Sequence, residues 1–230
     1  PHGAAQDGGG VTAGEPLYTP PRGGAVNWPE FGVLVGVAAG AYLIGSFPAA
    51  YLAGRLQSGT DVRTAGEGNV GARNVFHEVG KGWGVAVFAA DFGKGAAVAL
   101  PLGDGPIGRL AVAVAFLILG HAFPIWLGFI GGKGLAAAGG FTAALMPWAV
   151  LLAGAAGLLV WLATHRFLPT VITVAVLTFV IAPFTGARWA IMAVALEGFV
   201  LTAVKRIIDE PRMRRIEAET GWNRATGGTR

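Results

Sequence analysis

The chain has 230 residues, of which 53% are hydrophobic and 13% charged, with a mean hydropathy of +0.59. Soluble domains carry roughly 25% charged residues, so this composition excludes a water-soluble fold and marks an integral membrane protein. The lack of cysteine excludes disulfides, thiolate catalysis and Cys-ligated metal, and the net charge of +4 matters less than where the charges fall.

Residues 1–30 are rich in Gly and Pro and show no apolar period, which predicts a disordered leader. No apolar centre precedes residue 31, so this is not a signal peptide; opening on Pro1, it is expected to be a trimmed start. The first apolar segment runs from Phe31 to Leu56 and is interrupted by Gly45-Ser46-Phe47-Pro48. A second covers Trp83–Leu102 and a third Ile107–Leu127. From Leu135 to Thr164 the apolar run is too long for one untilted span of about 20 residues. Met146-Pro147-Trp148 near its midpoint predicts a hairpin of two short helices, 134–146 and 149–164. Leu168–Ala182 and Arg188–Val204 complete seven spans. Most of the 38 glycines fit the small-residue packing of membrane helices.

Charge placement orients the spans. With the N-terminus outside, thirteen basic residues fall inside: Arg55, Arg63, Arg73, Lys81, Lys133, Arg166, Lys205, Arg206, Arg212, Arg214, Arg215, Arg224 and Arg230. Arg22, Arg109 and Arg188 fall outside, and Lys94 lies within a span. This obeys the positive-inside rule. The expected protein is all-α, with seven transmembrane helices, N-terminus out and C-terminus in. Its parts are a leader (1–30), a membrane domain (31–204) and a basic cytoplasmic tail (205–230).

The glycine-rich turns then all face the cytoplasm. Gly131-Gly132-Lys133-Gly134 precedes an apolar helix and can offer backbone N–H groups and an ammonium to an anion at a helix N-terminus. No Ser or Thr follows the lysine, so it is not a Walker loop; a tight turn with Lys133 snorkelling to lipid head groups stays open. In the loop from Gly66 to Asn74, Asn69 and Asn74 can each donate to a phosphate or hydroxyl oxygen, or the stretch is an ordinary Gly/Asn turn. Asp91 and Lys94, three apart, share a helical face and can form an ion pair or part of a polar pocket. His121 lacks a second His at ligand spacing, His77 and His165 being on separate loops, so no metal site is expected.

Together, GSFPAAYL (45–52), DVR (61–63), GEGNVGARNV (66–75), DFGKG (91–95) and GHAFPIWLGFIGGKG (120–134) resemble the bacterial membrane glycerol-3-phosphate acyltransferases that use acyl-phosphate as donor. The resemblance implies transfer of a fatty acyl group from acyl-phosphate to the 1-hydroxyl of glycerol 3-phosphate, at the bacterial plasma membrane. The products are lysophosphatidate and phosphate. No coenzyme A, metal or other cofactor and no nucleic acid is implied. Lys133 matches the family's phosphate-contacting lysine, and Asn69 and Asn74 match its paired asparagines; these three are the expected catalytic residues. Gly68, Gly71, Gly131, Gly132, Gly134, Arg63, Lys94, His121 and Arg166 are the expected phosphate- or substrate-binding positions.

The pattern is altered at several points. Glu67 stands at a family serine, Arg73 at a threonine, His77 at an arginine, Ile130 at a lysine and Pro169 at a serine. The usual His-Arg-x-Asn is replaced by the stretch around Lys205-Arg206-Ile207-Ile208. A lone Glu67 carboxylate would repel substrate phosphate, so Glu67 and Arg73 are expected to contact each other, or to share a substrate, inside the cytoplasmic pocket, which can reshape it for a different acceptor. The competing reading is a catalytically altered or inactive membrane binding or scaffold protein; a transporter fits less well, because the polar turns gather on one face.

Overall fold

The computed structural model describes residues 27–103, 105–223 and 228–229. Among them nine α-helices succeed one another: α1 Trp28–Gly45, α2 Ala49–Ser58, α3 Ala72–Glu78, α4 Lys81–Ala99, α5 Ile107–Ala122, α6 Leu135–Leu145, α7 Pro147–Thr164, α8 Phe167–Ile181 and α9 Trp189–Thr220. A two-residue antiparallel pair, β1 (Trp222–Asn223) with β2 (Gly228–Thr229), follows α9. Five segments, 28–58, 81–102, 107–127, 147–164 and 167–185, are long and apolar enough to cross a membrane, and α6 is a shorter apolar helix. The protein is an all-α, multi-pass membrane protein.

Local chemistry sets the helix ends. Asn27 caps α1 by accepting the Glu30 N–H at 3.3 Å, so helix starts inside the expected leader; the rest of that leader, residues 1–26, lies outside the described residues. Pro48, which has no N–H and clashes with the preceding turn, separates α1 from α2. The chain breaks again at Met146, before Pro147 at the head of α7, as the apolar run required. Arg73, Asn74 and His77, expected in loop, instead belong to α3, which folds back on α4 with Phe76 over Gly84.

Backbones meet where side chains vanish. A Cβ on Gly45 would strike the Leu117 carbonyl and one on Gly120 the Tyr42 carbonyl, so α1 and α5 lie in direct contact. Gly95 and Gly140 do the same between α4 and α6. Leu110, Val114, Leu117 and Ile118 of α5 pack with Ala137, Ala138 and Phe141 of α6 and Val194 of α9. Arg109 reaches Glu30 at 3.0 Å, which aligns α1 and α5 in parallel. On α7 and α8, Leu151, Leu158, Leu159, Leu162, Ile172, Val176 and Val180 point outward. Such a belt is stable against lipid and not against water.

The sequence reading assigns residues 205–230 to a basic tail, and most of that stretch is helical. α9 runs unbroken through it to Thr220 and carries Pro211 inside the helix. Thr202 lies level with Gly134, so the residues that follow project past the bundle end and cover the glycine-rich loops.

Candidate active site

The segment from Gly66 to Asn74 is built around a buried amide. Asn74, fully buried, accepts the Glu67 N–H at 3.1 Å and donates to the carbonyls of Val62 (2.9 Å), Ala65 (3.0 Å) and Asn69 (3.1 Å). Its amide group is committed to shaping the loop and is not presented as a donor to substrate. Gly66 and Gly68 adopt φ of +55° and +66°, where glycine lacks the Cβ penalty of other residues. This backbone turns Glu67 inward. The expected pair is formed: Glu67 Oε2 lies 3.1 Å from Arg73 Nη1, and Glu67 Oε1 accepts from Asn69 Nδ2 at 3.4 Å. The Arg73 guanidinium also lies over the rings of Phe167 (5.4 Å) and Trp222 (5.7 Å). Asn69 Oδ1 is buried without a hydrogen-bond partner.

The GGKG turn divides its work. Gly131 N–H donates to Ala122 O and Gly132 N–H to His121 O, both at 3.1 Å. The last turn of α5 leaves carbonyls that need donors, and these two glycines supply them; their N–H groups are therefore not free to cradle phosphate. Gly132 also packs against Val70 O and the His121 ring, locking the two glycine loops together. Gly134, at φ +86°, opens α6. Lys133 is left just before that helix N-terminus, where the helix dipole adds to its charge. Burial holds its ammonium below the ordinary 10.5, partly offset by Glu67; Arg206, Arg73 and Asp209 also act on it.

The continuation of α9 brings further charges to this point. Lys205 Nζ lies 2.7 Å from Asp209 Oδ1 and sits over the Phe123 ring at 4.5 Å. Arg212 Nη1 donates to Gly68 O at 3.0 Å, with Nη2 at 3.7 Å from Asp209 Oδ2. Lys133, Arg73, Lys205, Arg206 and Arg212 thus surround two carboxylates, Glu67 and Asp209. A surplus of cations in a partly desolvated pocket attracts an anion. Beside it a groove of about 490 Å³ is lined by Arg63, Arg212 and Arg215 together with Asp61, Ile130 and Glu219. The sequence carries one signal of this cluster: Lys205, Asp209 and Arg212, four and three residues apart, lie on one helical face of α9.

Other sequence candidates have different tasks. Lys94 is buried and bonded to Asp91 (2.9 Å), Gly45 O (3.0 Å) and Phe47 O (3.3 Å). Its charge is spent on the break between α1 and α2, as a membrane-buried ammonium requires. His121 is buried with Nδ1 3.8 Å from Asp91 Oδ1, and so belongs to this polar support beneath Gly132. Arg63 binds Asp61 in two-pronged fashion (2.9 and 2.7 Å) and reaches Leu127 O at 3.1 Å, tying one loop to the other. Gly71 caps α3, and its N–H donates to Asn69 O at 3.1 Å. Arg166 is exposed at the head of α8, Pro169 lies in that helix's first turn, and His77 stands edge-on to Trp222 at 5.5 Å. No group of three or more His, Cys, Asp or Glu with metal-holding geometry occurs among the described residues.

Comparison with known proteins bears on this geometry. A family model described as glycerol-3-phosphate acyltransferase matches residues 35–211. Glycerol-3-phosphate acyltransferase 2 of Dehalococcoides mccartyi is 39% identical over 188 residues, covering 80% of this chain and 88% of that protein. Glycerol-3-phosphate acyltransferase of Anaeromyxobacter dehalogenans is 49% identical over 122 residues, 50% of this chain and 60% of the other. The crystal structure of PlsY (YgiH), an integral membrane glycerol 3-phosphate acyltransferase, in its glycerol 3-phosphate form, is similar with a TM-score of 0.68 at 29% identity. The match covers 80% of this chain and 92% of that one.

Proposed function

The chain belongs to the glycerol-3-phosphate acyltransferase family, and from that premise we propose that it transfers a fatty acyl group from acyl-phosphate to glycerol 3-phosphate. The products are lysophosphatidate and inorganic phosphate. The enzyme works as a multi-pass protein of the bacterial inner membrane. The observation that carries the reading is the meeting of Lys133, at the head of α6, with the Glu67–Arg73 loop and the basic face of α9.

The chemistry asks little beyond positioning. Acyl-phosphate is already an activated anhydride. The acceptor hydroxyl oxygen bonds to the acyl carbon, the bond from that carbon to the phosphate oxygen breaks, and the departing phosphate carries off the hydroxyl proton. Lys133, aided by Arg206 and the α6 dipole, stabilises the charge on the leaving phosphate. Asn69, held against Glu67, lies in the same wall, and the Glu67–Arg73 pair shapes the acceptor end. Asp91, Lys94 and His121 support the floor from within the helices and keep the Gly132 turn fixed. Holding both anions in one geometry supplies the remainder of the acceleration.

The arrangement we propose in the membrane has seven crossings, the N-terminus outside and the C-terminus inside. It is supported by the thirteen-to-three distribution of basic residues and by the break before Pro147. Purified full-length protein, incubated with acyl-phosphate and a panel of phosphorylated alcohols, is the direct test of activity. Release of phosphate with formation of lysophosphatidate is the expected result. Binding without turnover for every acceptor would reject the enzyme reading in favour of a membrane scaffold built on the same fold.

A further inference from the structure

The family match ends at residue 211, yet contacts to the loop beneath Lys133 continue beyond it. Arg212 donates to Gly68 O at 3.0 Å, and Thr220 Oγ1 donates to Gly66 O at 2.7 Å. These two carbonyls flank Glu67. Between them Ile216 is buried directly over Gly68, and a Cβ on that glycine would run into its side chain. Trp222, also buried, faces Arg73 and His77 from the far side of the pair. Four side chains, three from the last turns of α9 and one from β1, thus grip one short glycine loop.

The loop needs such a grip. Two of its glycines are in left-handed backbone conformation, and a chain segment of this composition has many competing states when unrestrained. Asn74 fixes the loop from inside, by bonds to its own neighbours within 12 residues. The outward carbonyls of Gly66 and Gly68 are held from α9.

We infer that the end of α9, beyond the segment shared with the family model, is a fixed wall of the active site, and that Arg212 is its positioning residue. Arg212 sets the Gly68 peptide, and through it the orientation of Glu67 and Asn69 towards Lys133. Its second nitrogen, Nη2, is buried without a hydrogen bond and faces Asp209 at 3.7 Å. Asp209 is itself held by Lys205, so the guanidinium is aimed by a charge already anchored in the helix. Its catalytic consequence rests on the acyl-transfer reading above; the clamp itself does not.

The test uses the full chain in lipid nanodiscs, with Arg212→Met, Arg212→Lys and Thr220→Val. Amide hydrogen exchange of the peptide spanning residues 64–72 is read beside steady-state kinetics with acyl-phosphate and glycerol 3-phosphate. For Arg212→Met, exchange in 64–72 rises at least about tenfold while α4 and α6 keep their rates. The kcat/KM for the acceptor falls on the order of ten- to a hundredfold, the scale for misplacing a reacting group by about an ångström. Arg212→Lys recovers most of both, since an ammonium can still donate to Gly68 O. Unchanged exchange in 64–72, or a rise spread equally over α4 and α6, overturns the clamp. If Arg212→Met does not accumulate, Thr220→Val decides the matter by the same local exchange. A wild-type protein without turnover would remove the function reading, while the exchange data would still uphold or reject the clamp.

Discussion

Exchanging Glu67 and Arg73 for the neutral residues of the family pattern, singly and together, is the sharpest probe of the altered loop. The Glu67 side chain is 4% exposed and that of Arg73 25%. Arg73→Thr leaves a buried carboxylate hydrogen-bonded to the Asn69 amide at 3.4 Å, with the Lys133 charge acting on it without a direct bond. Stranding a buried charge costs about 3–5 kcal/mol, and access of water through the space left by Arg73 brings this to about 2–3 kcal/mol. Glu67→Ser is milder. The guanidinium it leaves behind is partly hydrated and keeps its place over Phe167 and Trp222, so the cost is about 1 kcal/mol. The double variant strands neither charge and loses about 1 kcal/mol, which gives a coupling of about 2–3 kcal/mol. Unfolding of the four proteins in mixed micelles measures the cycle, and acceptor profiling reports whether preference shifts towards glycerol 3-phosphate. Single-mutant effects that add to within about 0.5 kcal/mol, or Glu67→Ser proving costlier than Arg73→Thr, would refute the reasoning.

Lys133→Met is expected to lower acyl transfer on the order of a hundredfold, about 3 kcal/mol of transition-state stabilisation; near-normal turnover would remove its role. Because burial lowers the Lys133 ammonium, the charged form is lost below pH 10.5 as pH rises. Acyl transfer therefore declines on an alkaline limb below that value, and Lys133→Arg, which stays charged, shifts or abolishes the limb in a pH–rate profile. Gly132→Ala drives a methyl into Val70 O and the His121 ring. A loss of about 1–3 kcal/mol, seen as a lowered Tm with reduced activity, is expected, and a neutral result would show the two glycine loops to be separable. Single cysteines introduced on this cysteine-free chain test the topology: position 166 should label only from the cytoplasm and position 148 only from outside.

Some of this was fixed by local sequence alone. Low charge and long apolar runs decide the membrane class because no arrangement of these side chains makes a water-compatible surface. Pro48 and Pro147 end helices through their own geometry, so both breaks were legible before any contact was known. The pairing of Glu67 with Arg73 followed from the cost of burying either charge alone. Which donors remain available to a ligand was a different kind of question. Gly131 and Gly132 looked like free N–H groups, but the end of α5 returns to meet them and its carbonyls claim both. Asn74 looked like a substrate contact, and its amide is claimed by three carbonyls of its own loop. Lys94 is claimed by Asp91 and by the end of α1, 49 residues earlier. The basic tail meets the glycine loop only because α9 continues past the bundle and sets Arg212 against Gly68, 144 residues away in sequence. Each such choice is a competition among partners for one donor or one charge. Side-chain type determines who can compete, and the tertiary fold, by bringing distant backbone carbonyls within 3 Å of those donors, determines who wins.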